Sequence, residues 1–273
     1  MLKDLSFGQY YKTKSFVHSM DSRVKLLLLI AYLVAVFLVK NFYGFIAVGV
    51  FLAVTVIISH VPIVKILKSL KGIMFLILFT VLLNILFFGS AEGTAVWRIG
   101  KLVITDRALY YSAFMALRLI LLVFGSSILT LTTTPVELTD GIESLLFPLK
   151  LVKFPVHELA LIMSIALRFI PTIAEETERV INAQKARGGN FDTGGPIAKV
   201  KAMIPVLIPL LVGSFRRAEE LGDAMDARCY NGSKNRTRYK KMKLSFRDPI
   251  AVVFLGLTFA AVLILNAKLG SIL

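Results

Sequence analysis

Residues 108–131 read ALYYSAFMALRLILLVFGSSILTL, 24 positions with one charge, Arg118, and no acid. A helix needs about 20 residues to cross the hydrocarbon core of a bilayer, so this stretch reads as a transmembrane span. Four other runs share its character: Leu26–Val39, Phe45–Ser59, Gly72–Phe88 and, near the end, Ile250–Leu265. The first is short for a span, and Lys25 and Lys40 stand where they can snorkel at its two ends. Between the second and third runs, Lys65, Lys68 and Lys71 recur at helical spacing beside Ile63, Leu67 and Leu70. His60–Lys71 is therefore expected to be a short amphipathic helix lying on the inner membrane surface.

The composition agrees. Of 273 residues, 56% are hydrophobic, more than a soluble domain of that size needs for its core. A formal net charge of +15 raises nucleic acid as a partner, but the positive residues avoid the apolar runs and gather in particular loops. That placement is the one membrane orientation requires, and no nucleic-acid role is expected. The N-terminal segment, the loop around Lys65 and the region Thr132–Arg247 hold 26 of the 32 Lys and Arg residues. These segments are assigned to the cytosol and the C-terminus to the outside of a multi-pass cell-membrane protein. Lys3, Asp4 and Lys12 precede the first run without a small-residue cleavage site, so no signal peptide is expected. The single cysteine, Cys229, excludes an internal disulfide and suits a reducing compartment.

After Thr132 the character changes: acids appear, Gly and Pro punctuate, and apolar residues recur at helical spacing. Thr134-Pro135-Val136-Glu137 reads as a capping box with proline at the first helical position, opening a helix to about Phe147. A second helix shows Leu159, Ile162, Met163, Ala166, Phe169, Ile170 and Ile173 on one side, with Pro171 as a kink. Its Glu175 and Arg179 have the spacing of a surface ion pair. A third amphipathic stretch starts at Pro196 and is bent by Pro205 and Pro209. A dense basic run, Lys234 to Lys243, then precedes the last span and is expected to face anionic lipid heads. The fold class expected is all-α: a polytopic membrane protein of about five transmembrane helices with a cytoplasmic region of three amphipathic helices. The chain divides into residues 1–131 with four spans, 132–247 with the amphipathic helices, and 248–273 with the last span.

Two of those amphipathic helices close on one short pattern, Ala183-Gln-Lys-Ala186-Arg187-Gly188 and Ala224-Met-Asp-Ala227-Arg228-Cys229. Glycine after a helix terminus accepts a left-handed backbone, and a cation in the last turn suits the negative end of the helix dipole. Each helix therefore presents an arginine at its tip, with alanines one and four residues before it. Small residues around a long forked cation leave room for another protein to close in, and a repeated tip suggests a repeated partner.

Catalytic machinery is missing from the sequence. The spans hold no Asp or Glu, whereas ion-moving transporters need ionisable groups at membrane depth. Arg118 has several open readings: pairing with a helix carbonyl or a partner subunit, lining a polar pocket, or snorkelling near the interface. There is no phosphate-cradling Gly-rich loop, and His18, His60 and His157 are scattered without metal-ligand spacing. No metal and no cofactor is expected, and the chain is read as passing work between partners rather than as an enzyme. Two rival classes stand beside that reading. One is a membrane-bound metal-dependent lipid or prenyl enzyme using Glu175, Glu176 and Asp223; the other is a stand-alone secondary transporter.

The tips Ala186-Arg187-Gly188 and Ala227-Arg228-Cys229 resemble the paired Ala-Arg-Gly motifs of the transmembrane T component of energy-coupling factor transporters, a branch of the ABC importers. Arg118-Leu119 leading to Thr132-Thr-Thr-Pro135-x-Glu-Leu, Leu146-Phe147-Pro148-Leu149, and Ala166-Leu-Arg168-Phe-Ile-Pro171 resemble other parts of that family. The likeness covers roughly Arg118 to Tyr230. The family usually has glycine where this chain has Cys229, and Gly232 offers a slightly later end to the second helix. The resemblance implies a complex with two cytosolic ATPase subunits, identical or not, and a membrane-embedded substrate-binding S component for uptake of a vitamin or other micronutrient. It implies that the tips couple to the ATPases and that Arg118, Arg168 and Pro171 serve structural or coupling roles. Within that arrangement the apolar residues Leu159, Met163, Phe169, Ile204, Leu207 and Leu211 are the candidate surface for the S component.

Overall fold

The computed structural model describes residues 10–88, 95–99, 102–152, 154–189, 191, 195–232 and 245–269. Its helices in chain order are α1 (Ser22–Leu38), α2 (Phe42–Ser59), α3 (Ile63–Phe88), α4 (Asp106–Thr132), α5 (Pro135–Leu145), α6 (Val156–Ala186), α7 (Pro196–Ala227) and α8 (Arg247–Leu269). The all-α polytopic fold expected from the sequence is the fold observed. A small antiparallel hairpin, β1 (Ala95–Ile99) and β2 (Leu102–Thr105), stands between α3 and α4. The basic run from Lys234 to Lys243 lies outside the described residues.

Among the described residues, five helices are long and apolar enough to cross a membrane: Phe42–Ser59, Ile63–Ile85, Asp106–Thr132, Val156–Ala186 and Arg247–Lys268. α1, expected as a short span at Leu26–Val39, has 17 residues and is not among these five. Two further differences from the sequence reading have physical causes. His60–Lys71 is not a separate surface helix, because α3 runs unbroken from Ile63 to Phe88. Gly72 was the expected boundary, but one glycine costs a helix only about 1 kcal/mol, less than breaking the backbone ladder in an apolar run. The second difference is α6, which has the length and composition of a span although it was read as amphipathic. Its first half, up to Pro171, carries only Glu158 and Arg168 as charged residues.

Contacts divide the chain into two compact units, Gly8–Ile142 with Met242–Leu273, and Glu143–Lys241. The first holds α1 to α4 and α8 around a core that includes Tyr32, Val36, Val39, Phe45, Val48, Leu121, Ile128 and Val262. Polar layers close both ends of α1. At one end the Lys25 ammonium, almost fully buried, donates to the carbonyls of His18 at 3.1 Å and Thr132 at 3.0 Å. Beside it the buried Asp248 accepts from the Asp21 amide at 3.1 Å and the Ser245 amide at 2.7 Å. Asp21 in turn caps α1 by accepting from the Arg23 amide. At the other end Arg118 Nη2 donates to Val39 O at 2.8 Å, and Asn266 Nδ2 donates to Leu38 O at 2.7 Å. Lys25, Arg118 and Asn266 thus take up Thr132 O, Val39 O and Leu38 O, carbonyls that the ends of α4 and α1 leave without an intrahelical partner.

Arg118 therefore pairs with a helix-end carbonyl, one of the readings left open by the sequence. Its guanidinium also lies over the Phe114 ring, 4.9 Å from the centroid. Thr132 and Arg118 are fourteen residues apart, as are Lys25 and Val39. At 1.5 Å per residue the two layers are about 21 Å apart on both helices, so the α1–α2 turn is short of a full bilayer core and Arg118 sits at its level.

Between the layers, α1 and α4 meet at Tyr32 and Gly125. A Cβ on Gly125 would collide with Tyr32 Cε1 and stand 2.7 Å from Cδ1. The ring cannot retreat, because it is buried and its hydroxyl donates to Leu121 O at 2.8 Å. Small residues at such crossings let membrane helices approach closely. Gly125→Ala should destabilise the bundle by about 1–3 kcal/mol through overpacking, read as a lower unfolding midpoint of the purified protein in detergent.

Candidate functional site

The second unit carries α6 and α7, helices of 31 and 32 residues that end on the two arginine motifs. Both ends close in the same way. After α6, the Gly188 amide donates to Lys185 O at 3.0 Å and the Gly189 amide to Gln184 O at 2.8 Å. After α7, the Cys229 amide donates to Asp226 O at 2.9 Å and the Tyr230 amide to Met225 O at 3.0 Å. These are paired Schellman closures, with Arg187 and Arg228 each at the C-cap. The left-handed residue that such a closure requires is Gly188, with φ +88°, in one and Cys229, with φ +56°, in the other. The glycine-to-cysteine difference thus leaves the backbone motif intact, and α7 ends at Ala227 rather than running on to Gly232.

Every residue of the two tips, Ala186, Arg187, Gly188, Ala227, Arg228 and Cys229, is exposed. Among the described residues neither arginine side chain has a partner within the chain. A cation there is favoured by the carbonyl end of the helix dipole and keeps its hydrogen-bonding fork open.

The tips are held by an antiparallel contact between α6 and α7. Gln184 Nε2 donates to Pro205 O at 3.3 Å, and Glu176 forms an ion pair with Arg217. Pro205 O is open to Gln184 because the residue four positions on is Pro209, which has no amide hydrogen to give it. Pro171 lies within α6 and Arg168 is exposed on the same helix. Of the apolar candidates, Leu159, Met163, Ile204, Leu207 and Leu211 are exposed and Phe169 is half-buried.

The acids that a lipid or prenyl enzyme would use are arranged otherwise. Glu175 pairs with Arg179 at 3.6 Å on the same helix, Glu176 is taken by Arg217, and Asp223 is exposed. Among the described residues no three His, Cys, Asp or Glu side chains gather in a way that could hold a metal ion. His157 Nδ1 lies 3.1 Å from Glu143.

Residues 13–239 match the family of the cobalt transport protein CbiQ. The chain is 48% identical to the energy-coupling factor transporter transmembrane protein EcfT of Clostridium kluyveri over 252 residues, 92% of this chain and 93% of that one. It is 42% identical to the EcfT of Bacillus subtilis over 267 residues, 98% of this chain and all of the other. The chain belongs to the EcfT/CbiQ family of transporter transmembrane proteins. Membership makes it a transmembrane component of an energy-coupling factor transporter, as the resemblance of the motifs implied. Within this EcfT-like chain the sequence places both arginines at helix ends and gives Pro209 only as a bend, while the contacts of Gln184 and Arg217 with the facing helix need the fold of α7 against α6. The spacing of Pro205 and Pro209, four apart, was the one available signal.

Cys229 occupies a conformation that costs a non-glycine residue about 1–2 kcal/mol. Cys229→Gly should strengthen the second closure by about 1 kcal/mol, and Gly188→Ala should weaken the first by about as much. A Cβ on Gly188 would meet nothing within 4 Å, so the cost there is purely backbone. Slower hydrogen exchange at the Tyr230 amide in Cys229→Gly, and faster exchange at the Gly189 amide in Gly188→Ala, would register both effects.

Proposed function

We propose that this chain is the coupling subunit of an energy-coupling factor importer, joining two cytosolic ATPase subunits to a membrane-embedded S component that binds a vitamin or other micronutrient. The observation that carries the reading is the pair of matching helix ends, each offering an exposed arginine on the same backbone closure. Two equivalent tips suit two ATPase subunits, each with an acidic groove to receive one guanidinium. ATP binding and hydrolysis then belong to those partners, and this chain converts their closure into displacement of α6 and α7. The exposed apolar residues Leu159, Met163, Ile204, Leu207 and Leu211, with Phe169, form the surface offered to the S component. Arg118 serves the frame of the membrane bundle, and Arg168 and Pro171 that of α6. The charge distribution supports an orientation with the N-terminus and the tips in the cytosol.

Arg187→Ala or Arg228→Ala should weaken docking of an ATPase subunit by about 2–5 kcal/mol, the effect of removing one side of a buried charge pair. The double substitution should abolish co-purification of the ATPases or uncouple hydrolysis from uptake. Normal assembly and uptake in the double variant would refute the tip assignment. Orientation has its own check, since Cys229 is the single cysteine and is exposed. A membrane-impermeant maleimide should label it in cells only after permeabilisation, and labelling of intact cells would reverse the proposed topology.

A further inference from the structure

The membrane bundle is not packed solid. α1 and α2 each pack on α4 and α8 and scarcely touch each other, so the four helices ring a common centre. At the end of the bundle marked by Lys25, that centre is a cavity of about 360 Å³. It is lined by residues within 25–32 of α1, 51–58 of α2, 125–132 of α4 and 250–254 of α8, with Phe16, Val17 and Met20 from the segment before α1. Seven residues of helix give it a depth of about 10 Å. Ligand pockets begin at about 300 Å³, and a space with so apolar a lining suits an apolar ligand better than water.

The two ends of the cavity differ in chemistry. The deep end is a floor of three rings: Tyr32 stacks on Phe51 with centroids 5.9 Å apart, and Phe51 on Phe254 at 5.2 Å. The other end holds the Lys25 ammonium, whose residue is 5% exposed and which donates to the carbonyls of His18 and Thr132. An ammonium has three donors, and the third has no acceptor among the described residues. No carboxylate among them forms an ion pair with it. The acids that act on it through space are Asp21, Glu137 and Asp248. Each is engaged by backbone amides, Asp21 by Arg23, Glu137 by Thr134, and Asp248 by Asp21 and Ser245. None of the three lines the cavity. A buried cationic donor left without an acceptor is costly, so the site favours a ligand that brings one.

Of the lining residues only Ile58, at the end of α2, and Ile250, at the start of α8, are exposed. Ile58 stands seven residues from Phe51, as Lys25 does from Tyr32. The mouth therefore lies between these two helix ends, is apolar, and is level with the ammonium.

We propose that this cavity receives one acyl chain, its tail on the ring floor and its carbonyl oxygen accepting from Lys25 Nζ. Such a chain supplies the two things the site asks for, a slender apolar length and a single acceptor at one end. A free fatty acid and an ester of a membrane phospholipid share that chemistry, and both meet the mouth from the bilayer. The site lies in the membrane bundle and does not depend on the coupling role proposed for the tips.

Photolabelling of the full chain in phosphatidylcholine nanodiscs tests this. Three probes carry a diazirine at the end of the same medium-length chain: the free acid, a phosphatidylcholine ester, and a hydrocarbon without a head group. After digestion, mass spectrometry should find the acid or the ester on Tyr32, Phe51 or Phe254, and whichever labels names the source. The hydrocarbon should label those rings about tenfold less, as expected for loss of a hydrogen bond to a charged group. Lys25→Met should reduce ring labelling by the acyl probes to the same degree. Because Lys25 also holds Thr132, a second variant leaves it in place: Ala251→Phe, which fills the cavity, should abolish ring labelling. Labelling of Val50, exposed on the outer face of α2, should persist in that variant. Labels confined to outer residues such as Val50, a hydrocarbon that marks the rings as strongly as the acyl probes, or undiminished ring labelling in Ala251→Phe would each overturn the acyl site.

Discussion

A carbonyl left without a donor in or near hydrocarbon is the constraint on which much of this structure depends. Helix ends and prolines both create such carbonyls, and water is not there to satisfy them. In the membrane bundle the answer is long polar side chains reaching across from a neighbouring element. Lys25 serves Thr132, Arg118 serves Val39 and Asn266 serves Leu38. These bonds fix the relative height of α1, α4 and α8, because each carbonyl lies at a definite level along its helix. In the other unit, Gln184 serves the carbonyl that Pro209 cannot reach, and so sets the register of α6 against α7.

At the exposed tips the helix ends meet their need for donors by a local route. A helix that stops in a Schellman closure satisfies its last carbonyls with its own next two amides and needs no help from side chains. Arg187 and Arg228 are thereby released from capping duty, and their guanidinium groups remain free for another molecule. An arginine that has to satisfy a helix end, as Arg118 does for α1, is held against its own chain. The left-handed residue after each arginine is what makes the difference, and Cys229 supplies it at some conformational cost where Gly188 does so freely.

Much of the fold was legible because it follows from local rules. The apolar runs predicted the spans α2, α4 and α8, and the capping box Thr134–Glu137 appears with both of its reciprocal bonds. The Glu175–Arg179 pair and the helix-ending motifs also follow from spacing alone. Less was legible where a boundary depended on competition. The junction at Gly72 looked like a break, yet the helix continued, since the cost of glycine is small beside that of an interrupted ladder in an apolar segment. The hairpin of β1 and β2 pairs strands across a short connection, and no alternation in the sequence marked it.

What the sequence determined by itself was composition-driven: a membrane protein of helices, with two amphipathic arms ending in the same arginine motif. That information is local, because hydrophobic length, caps and left-handed turns act within a few residues. What only the tertiary structure decided is which distant groups meet. Tyr32 fills the space left by Gly125, Arg118 finds Val39, and Glu176 finds Arg217 beside Gly213. Sequence spacing cannot specify such partners, since each depends on how one helix is turned and raised against another, and that is set by the summed packing of many side chains.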